Sequence, residues 1–117
     1  MENKEFAKKL ELRTLQFAIS IINLSASLPK SAEALVIRNQ MTKSGTSIGA
    51  NYREANRSRS KKDFKNKIKI SESEASETVY WLDIIAELHW LDPTYLNEIM
   101  KESKELLAIF TTISNKL

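Results

Sequence analysis

Residues 91–96 read LDPTYL, and this short stretch punctuates the chain. Asp92 suits a helix N-cap, because its carboxylate can accept from the backbone N–H groups that open a helix without partners. Pro93 suits the first helical position, where a missing N–H costs nothing. One helix therefore ends here and another begins. Working outward, SKKD at 60–63 reads as a variant capping box, with Ser60 accepting from the first turn and Asp63 reaching back. SASLPKS at 25–31 is a third break: Pro29 cannot donate to a preceding turn, and Ser27 or Ser31 can cap the next helix. These breaks divide 117 residues into helical segments at about 3–26, 31–56, 61–90 and 93–117. No stretch alternates as a strand would. Helices of this length joined by short connections give an all-α, antiparallel up-down-up-down four-helix bundle in one domain.

Helical spacing names the inward faces. The first segment repeats Phe6, Leu10, Phe17, Ile21 and Leu24. The second repeats Leu35, Met41, Gly45, Ile48, Tyr52 and Ala55, with Asn56 as a left-handed terminator. The fourth repeats Ile99, Ser103, Leu106, Phe110, Ile113 and Leu117. On a wheel of 100° per residue, the third segment gathers Phe64, Ile68, Ala75, Val79, Leu82 and Ala86 within about 60°. Ile70, Trp81 and Leu88 make a second apolar stripe about 100° to 120° away, with Ile84 just beyond it. A helix that is apolar on more than one face is buried on more than one face. That second stripe points to another copy of the chain, with the first helix or the chain ends as the alternative cover. Ile70, Trp81, Ile84 and Leu88 are thus the candidate oligomer interface.

Composition narrows the functional classes. The chain has no cysteine, which excludes disulfides, thiolate metal sites and Cys nucleophiles. Its N-terminal MENKEFAKKLELR is charged throughout, with no apolar signal core, and no apolar run approaches the ~20 residues of a membrane span. A cytoplasmic protein with no membrane role is the expectation. The lone His89 cannot complete the two Glu-x-x-His pairs of a di-iron bundle, and is expected at the core or its edge. Neither a Ser-His-Asp set nor a Ser-Lys dyad stands out. No catalytic residue, metal or cofactor is assigned, and an enzyme is not expected.

The charge is strongly segregated. Residues 30–69 hold eleven Lys/Arg against three acids, whereas 72–105 hold nine acids against Lys101 and Lys104. Charge separated in this way makes a local field that the overall +3 does not suggest. Within the basic half, Lys61, Lys62, Lys65 and Lys69 share an arc of about 100° on the third segment. Arg53, Arg57 and Arg59 stand at the junction before it. Together they resemble a footprint for nucleic-acid phosphates, with a solvated basic face as the other reading. No aromatic lies within the stripe to stack bases, so readout would be of backbone or shape. Both glycines of the chain, Gly45 and Gly49, lie just upstream and share one helix face. Each costs up to ~1 kcal/mol in a helix interior, a cost tolerated where a neighbouring helix must come close. The residues at 49–51, GAN, are not the Gly-Lys-Ser/Thr of a phosphate loop.

The string KSGTSIGANYREANRSRSKKDFKNKIKISESEASETVYWL at 43–82 resembles the signature of the bacterial proteins encoded by intervening sequences in 23S ribosomal RNA genes, also called S23 ribosomal proteins. The matching positions are Ser47, Ile48, Asn51, Glu54, Arg57, Phe64, Glu74 and Leu82, with Pro29, Leu35, Arg38 and Gln40 upstream. Gly49 stands where many members have Pro, and Ala55 where many have Gly. The resemblance implies a four-helix bundle. The family is similar in architecture to retroelement accessory proteins that form barrel-shaped pentamers and bind nucleic acid, so it also implies a homopentamer. The combined expectation is a homo-oligomer binding structured nucleic acid, RNA more than DNA. The rival expectation is a module whose basic stripe meets an acidic protein partner.

Overall fold

The computed structural model describes residues 3–117. Four helices account for its regular structure: α1 (Lys4–Ala26), α2 (Ala32–Asn56), α3 (Lys61–Leu88) and α4 (Pro93–Asn115). Each begins at a side chain that accepts from the first turn. Asn3 accepts from the Phe6 N–H, Ser31 from Ala34, Ser60 from Asp63 and Asp92 from Thr94. The breaks expected from local chemistry are therefore where the chain turns. At the first of them Ser31 is the cap, while the Ser27 hydroxyl bonds back to the Asn23 carbonyl at 3.2 Å.

The helices form an up-down-up-down bundle measuring 44 × 24 × 21 Å. α2 packs against α1 and α3, and α3 against α4, while α1 and α4 meet least and α1 and α3 sit diagonally. One apolar core runs through all four helices, and the rings of Tyr52 and Phe110 meet edge-on across it with centroids 5.4 Å apart. The α2–α3 seam is lined with small polar residues. The buried Thr78 Oγ1 lies 2.8 Å from both Ser44 Oγ and the Glu74 carbonyl, and Ser71 donates to the Ile48 carbonyl at 3.0 Å. The thin α1–α4 seam is clasped by Arg13, whose guanidinium donates twice to Glu102 at 2.7 and 2.6 Å. Those bonds raise the Arg13 pKa above its already high value.

Several inward assignments differ from the structure. Phe6 and Leu35 are about half exposed, and Thr14 and Ala34 take the buried positions on α1 and α2. At the end of α4 it is Ser114, not Leu117, that is buried, and Ile113 is only partly covered. On α3, Thr78 and Ile85 occupy the seam in place of the expected Val79 and Ala86, and the latter pair is half-buried. An ideal 100° wheel drifts about 20° per heptad against the repeat that holds a bundle seam together. Long helices are therefore misassigned most at their ends. His89 is not in the core. It is the exposed C-cap of α3, in the left-handed region at φ 54°. Asn56 is helical to its end, and Arg57 closes α2 at φ −104° without a left-handed turn.

Candidate nucleic-acid interface

The glycines set the base on which the basic residues stand. A Cβ at Gly45 would lie 2.8 Å from Ile21 Cγ2, and one at Gly49 would lie 2.8 Å from Thr14 Oγ1. Real Cβ atoms do not approach so closely, so the paired glycines are what let α2 lie against α1. Thr14 is itself held, its hydroxyl within 3.0 Å of the carbonyls of Leu10 and Glu11. α2 thus runs rigidly to Asn56. Glu11 fixes that end from α1, accepting from Asn56 Nδ2 at 2.9 Å and facing Arg53 Nε at 3.7 Å.

Beyond this anchor the chain turns through residues 57–60, and Ser60 restarts it as α3. Arg57, Arg59, Lys61, Lys62 and Lys65 are exposed and Lys67 is half-buried. None of these six takes part in a salt bridge among the described residues. Arg53 and Lys69 differ, since Arg53 faces Glu11 and Lys69 donates to Ser114 Oγ at 3.0 Å. The tract therefore splits into two tethered cations and a free group between them.

The fold adds residues that are not apparent from the sequence. Glu11 bonding Asn56, and Lys69 bonding Ser114, place the start of α1 and the end of α4 at this same end of the bundle. Lys4 and Lys8 on α1, and Lys116 after α4, are exposed there and also outside any salt bridge among the described residues. The acids Glu72 to Glu105 lie on the rest of α3 and on α4. The molecule is consequently polarised along its long axis, with a positive end at the α2–α3 turn. Such a surface attracts a polyanion by charge.

The expected oligomer residues fall on one side of α3. Ile70 and Leu88 are exposed, whereas Trp81 and Ile84 are half-buried, and Trp81 packs against the core. Among the described residues no group of three His, Asp or Glu is placed to hold a metal ion. No described helix is long and apolar enough to cross a membrane.

Comparison with known proteins agrees with this architecture. The family model described as 23S rRNA-intervening sequence protein matches residues 4–112. A crystal structure of a protein of unknown function from the S23 ribosomal protein family of Bacteroides thetaiotaomicron VPI-5482 superposes with a TM-score of 0.82 at 36% identity, covering 89% of this chain and 96% of that one. No curated protein matches the chain.

Proposed function

The chain belongs to the family of 23S rRNA-intervening sequence proteins, and from that premise we propose a non-enzymatic homo-oligomer that binds structured nucleic acid, RNA before DNA, through its positive end. The observation that carries this is the group of cations at the α2–α3 turn. Arg57, Arg59, Lys61, Lys62, Lys65 and Lys67 lie together, and none of them forms a salt bridge among the described residues. A structural role would pair such charges with carboxylates, as Arg13 is paired with Glu102. Contacts of this type fall on phosphates, so they give affinity and register without reading sequence. Assembly into a ring of copies, five on the family likeness, would multiply the surface.

Titrating a labelled RNA hairpin at increasing salt tests the proposal. If each subunit neutralises about three or four phosphates, the log-log slope is about −2 to −3 per subunit engaged. Replacing Arg57, Arg59, Lys61 and Lys65 together by Gln is expected to flatten that slope and weaken binding to all sequences alike, with helicity and oligomeric mass retained. Absence of RNA and DNA binding by the wild type at low salt would overturn the reading and leave an acidic protein as the partner.

A further inference from the structure

The outer face of α1 is an exposed apolar surface. Leu12, Leu15, Ile19 and Ile22 are each between 43% and 55% exposed. Their three-four-three spacing is that of a coiled-coil seam, yet on the wheel they centre about 155° from the buried face of their own helix. From Thr14 to Pro29 the chain has no charged residue at all. The outward positions between the aliphatics are Gln16, Asn23 and Ala26. A helix facing water carries charge on its outer side. Large aliphatics with the charges removed are the composition of an interface core. The four side chains leave on the order of 350 Å² of apolar surface, in the range that marks an interaction site on a single chain.

A second such face lies on α3. Ile70, Tyr80 and Leu88 are between 42% and 60% exposed. The half-buried Trp81 presents its ring beside Tyr80 with centroids 5.3 Å apart, its indole N–H already donated to Glu77 on the same helix at 3.3 Å. Glu77 lies within this face, Glu74, Asp83 and Glu87 flank it, and residues 70–88 contain no Lys or Arg.

These two faces cannot cover one another within one copy, because α1 and α3 sit diagonally with α2 between them. Nor does a symmetric pairing serve both. Two α3 faces would set acid against acid, and two α1 faces would leave both α3 faces wet. The α1 stripe sets no acid against α3. It is neutral along its length, and Lys8, one heptad before Leu15, extends it with a cation that forms no salt bridge among the described residues. Resting on the homo-oligomer reading, we propose that the outer stripe of α1 in one copy seats on the Ile70–Leu88 face of α3 in the next. Such a head-to-tail contact uses different surfaces on its two sides, and repeated by rotation it closes a ring. The α1 stripe supplies on the order of 350 Å² of the ~800 Å² that each partner brings to a standard interface, and the rest falls to its polar rim.

Two variants at exposed positions, Ile19→Arg and Leu88→Arg, separate the alternative arrangements by sedimentation velocity, with circular dichroism verifying that each remains helical. The head-to-tail contact requires each variant alone to be monomeric. It also requires an equimolar mixture to stop at a one-to-one dimer, because one intact α1 face then meets one intact α3 face. A dimer of Leu88→Arg alone would reveal α1–α1 pairing, and a dimer of Ile19→Arg alone would reveal α3–α3 pairing; either result overturns the proposal. If both variants keep the wild-type mass, the proposed faces are wrong while the homo-oligomer reading stands. A monomeric wild type removes both.

Discussion

Replacing Gly45 is the sharpest test of why α2 carries two glycines. In an open helix, Gly45→Ala would stabilise the chain by up to ~1 kcal/mol through propensity alone. Here the new Cβ would meet Ile21 at 2.8 Å from Cγ2, 3.0 Å from Cγ1 and 3.2 Å from Cβ. Ile21 is fully buried and cannot swing into solvent. Overpacking of this kind costs ~1–3 kcal/mol, so alanine comes out near neutral to about 2 kcal/mol destabilising. Gly45→Leu, with three further carbons and no more room, falls at or beyond the upper end. At about 4 °C per kcal/mol for a chain of this size, the leucine variant is expected to melt about 8–12 °C below wild type. Melting followed by circular dichroism measures this, at one protein concentration throughout because assembly links stability to concentration. Ile21→Ala supplies the control. Alone it leaves a cavity and costs ~2–5 kcal/mol, but Gly45→Leu added to it should cost at least ~1 kcal/mol less than in the wild-type background. If Gly45→Ala stabilises by the full propensity gain, or the two substitutions simply add, the close approach of α1 and α2 is not what the glycine serves.

Two further substitutions examine the seams and the caps. Thr78→Val keeps shape while removing the hydroxyl that lies 2.8 Å from Ser44 Oγ, leaving a buried partner, and is expected to cost ~1–2 kcal/mol in urea unfolding with an unchanged m-value. His89→Gly relieves a side chain at φ 54° and is expected to raise the melting temperature by a few degrees, worth up to ~1 kcal/mol after the added freedom of the unfolded chain is subtracted.

The ends of the helices are more legible in the sequence than their sides. Ser31, Ser60 and Asp92 cap the next turn through bonds spanning two or three residues, so their role depends on nothing distant. The glycine pair is legible for a similar reason, since a shared face four residues apart has few other uses. Which way a helix faces is decided by the other helices. On α1, Phe17, Ile21 and Leu24 are buried while Leu15, Ile19 and Ile22 are exposed, and both sets have helical spacing. Only the neighbours decide which set is inside, and so the outer stripe is hidden from a reading of spacing alone. The positive end is half legible. The Lys/Arg tract is contiguous in sequence, but Lys4, Lys8 and Lys116 join it only because the bundle brings both chain ends to the α2–α3 turn. The tethering of Arg53 by Glu11 also depends on that packing.

The unequal seams have a kinetic consequence. α1–α2, α2–α3 and α3–α4 each join helices that are consecutive in the chain, so closing them requires only short loops and little entropy. Joining α1 to α4 brings together residues as far apart as Arg13 and Glu102, across the thinnest seam in the bundle. A protein of largely local contacts folds fast, and its most distant contact forms late. The α1–α4 joint is then also the first to open in the native state, and it leaves α1 held by α2 alone and α4 by α3 alone. In hydrogen exchange the amides of α1 and α4 should exchange before those of the central pair α2 and α3. Because α1 also carries the proposed docking stripe, association would slow its amides relative to those of α4, so that protection of α1 becomes a measure of assembly and not only of folding.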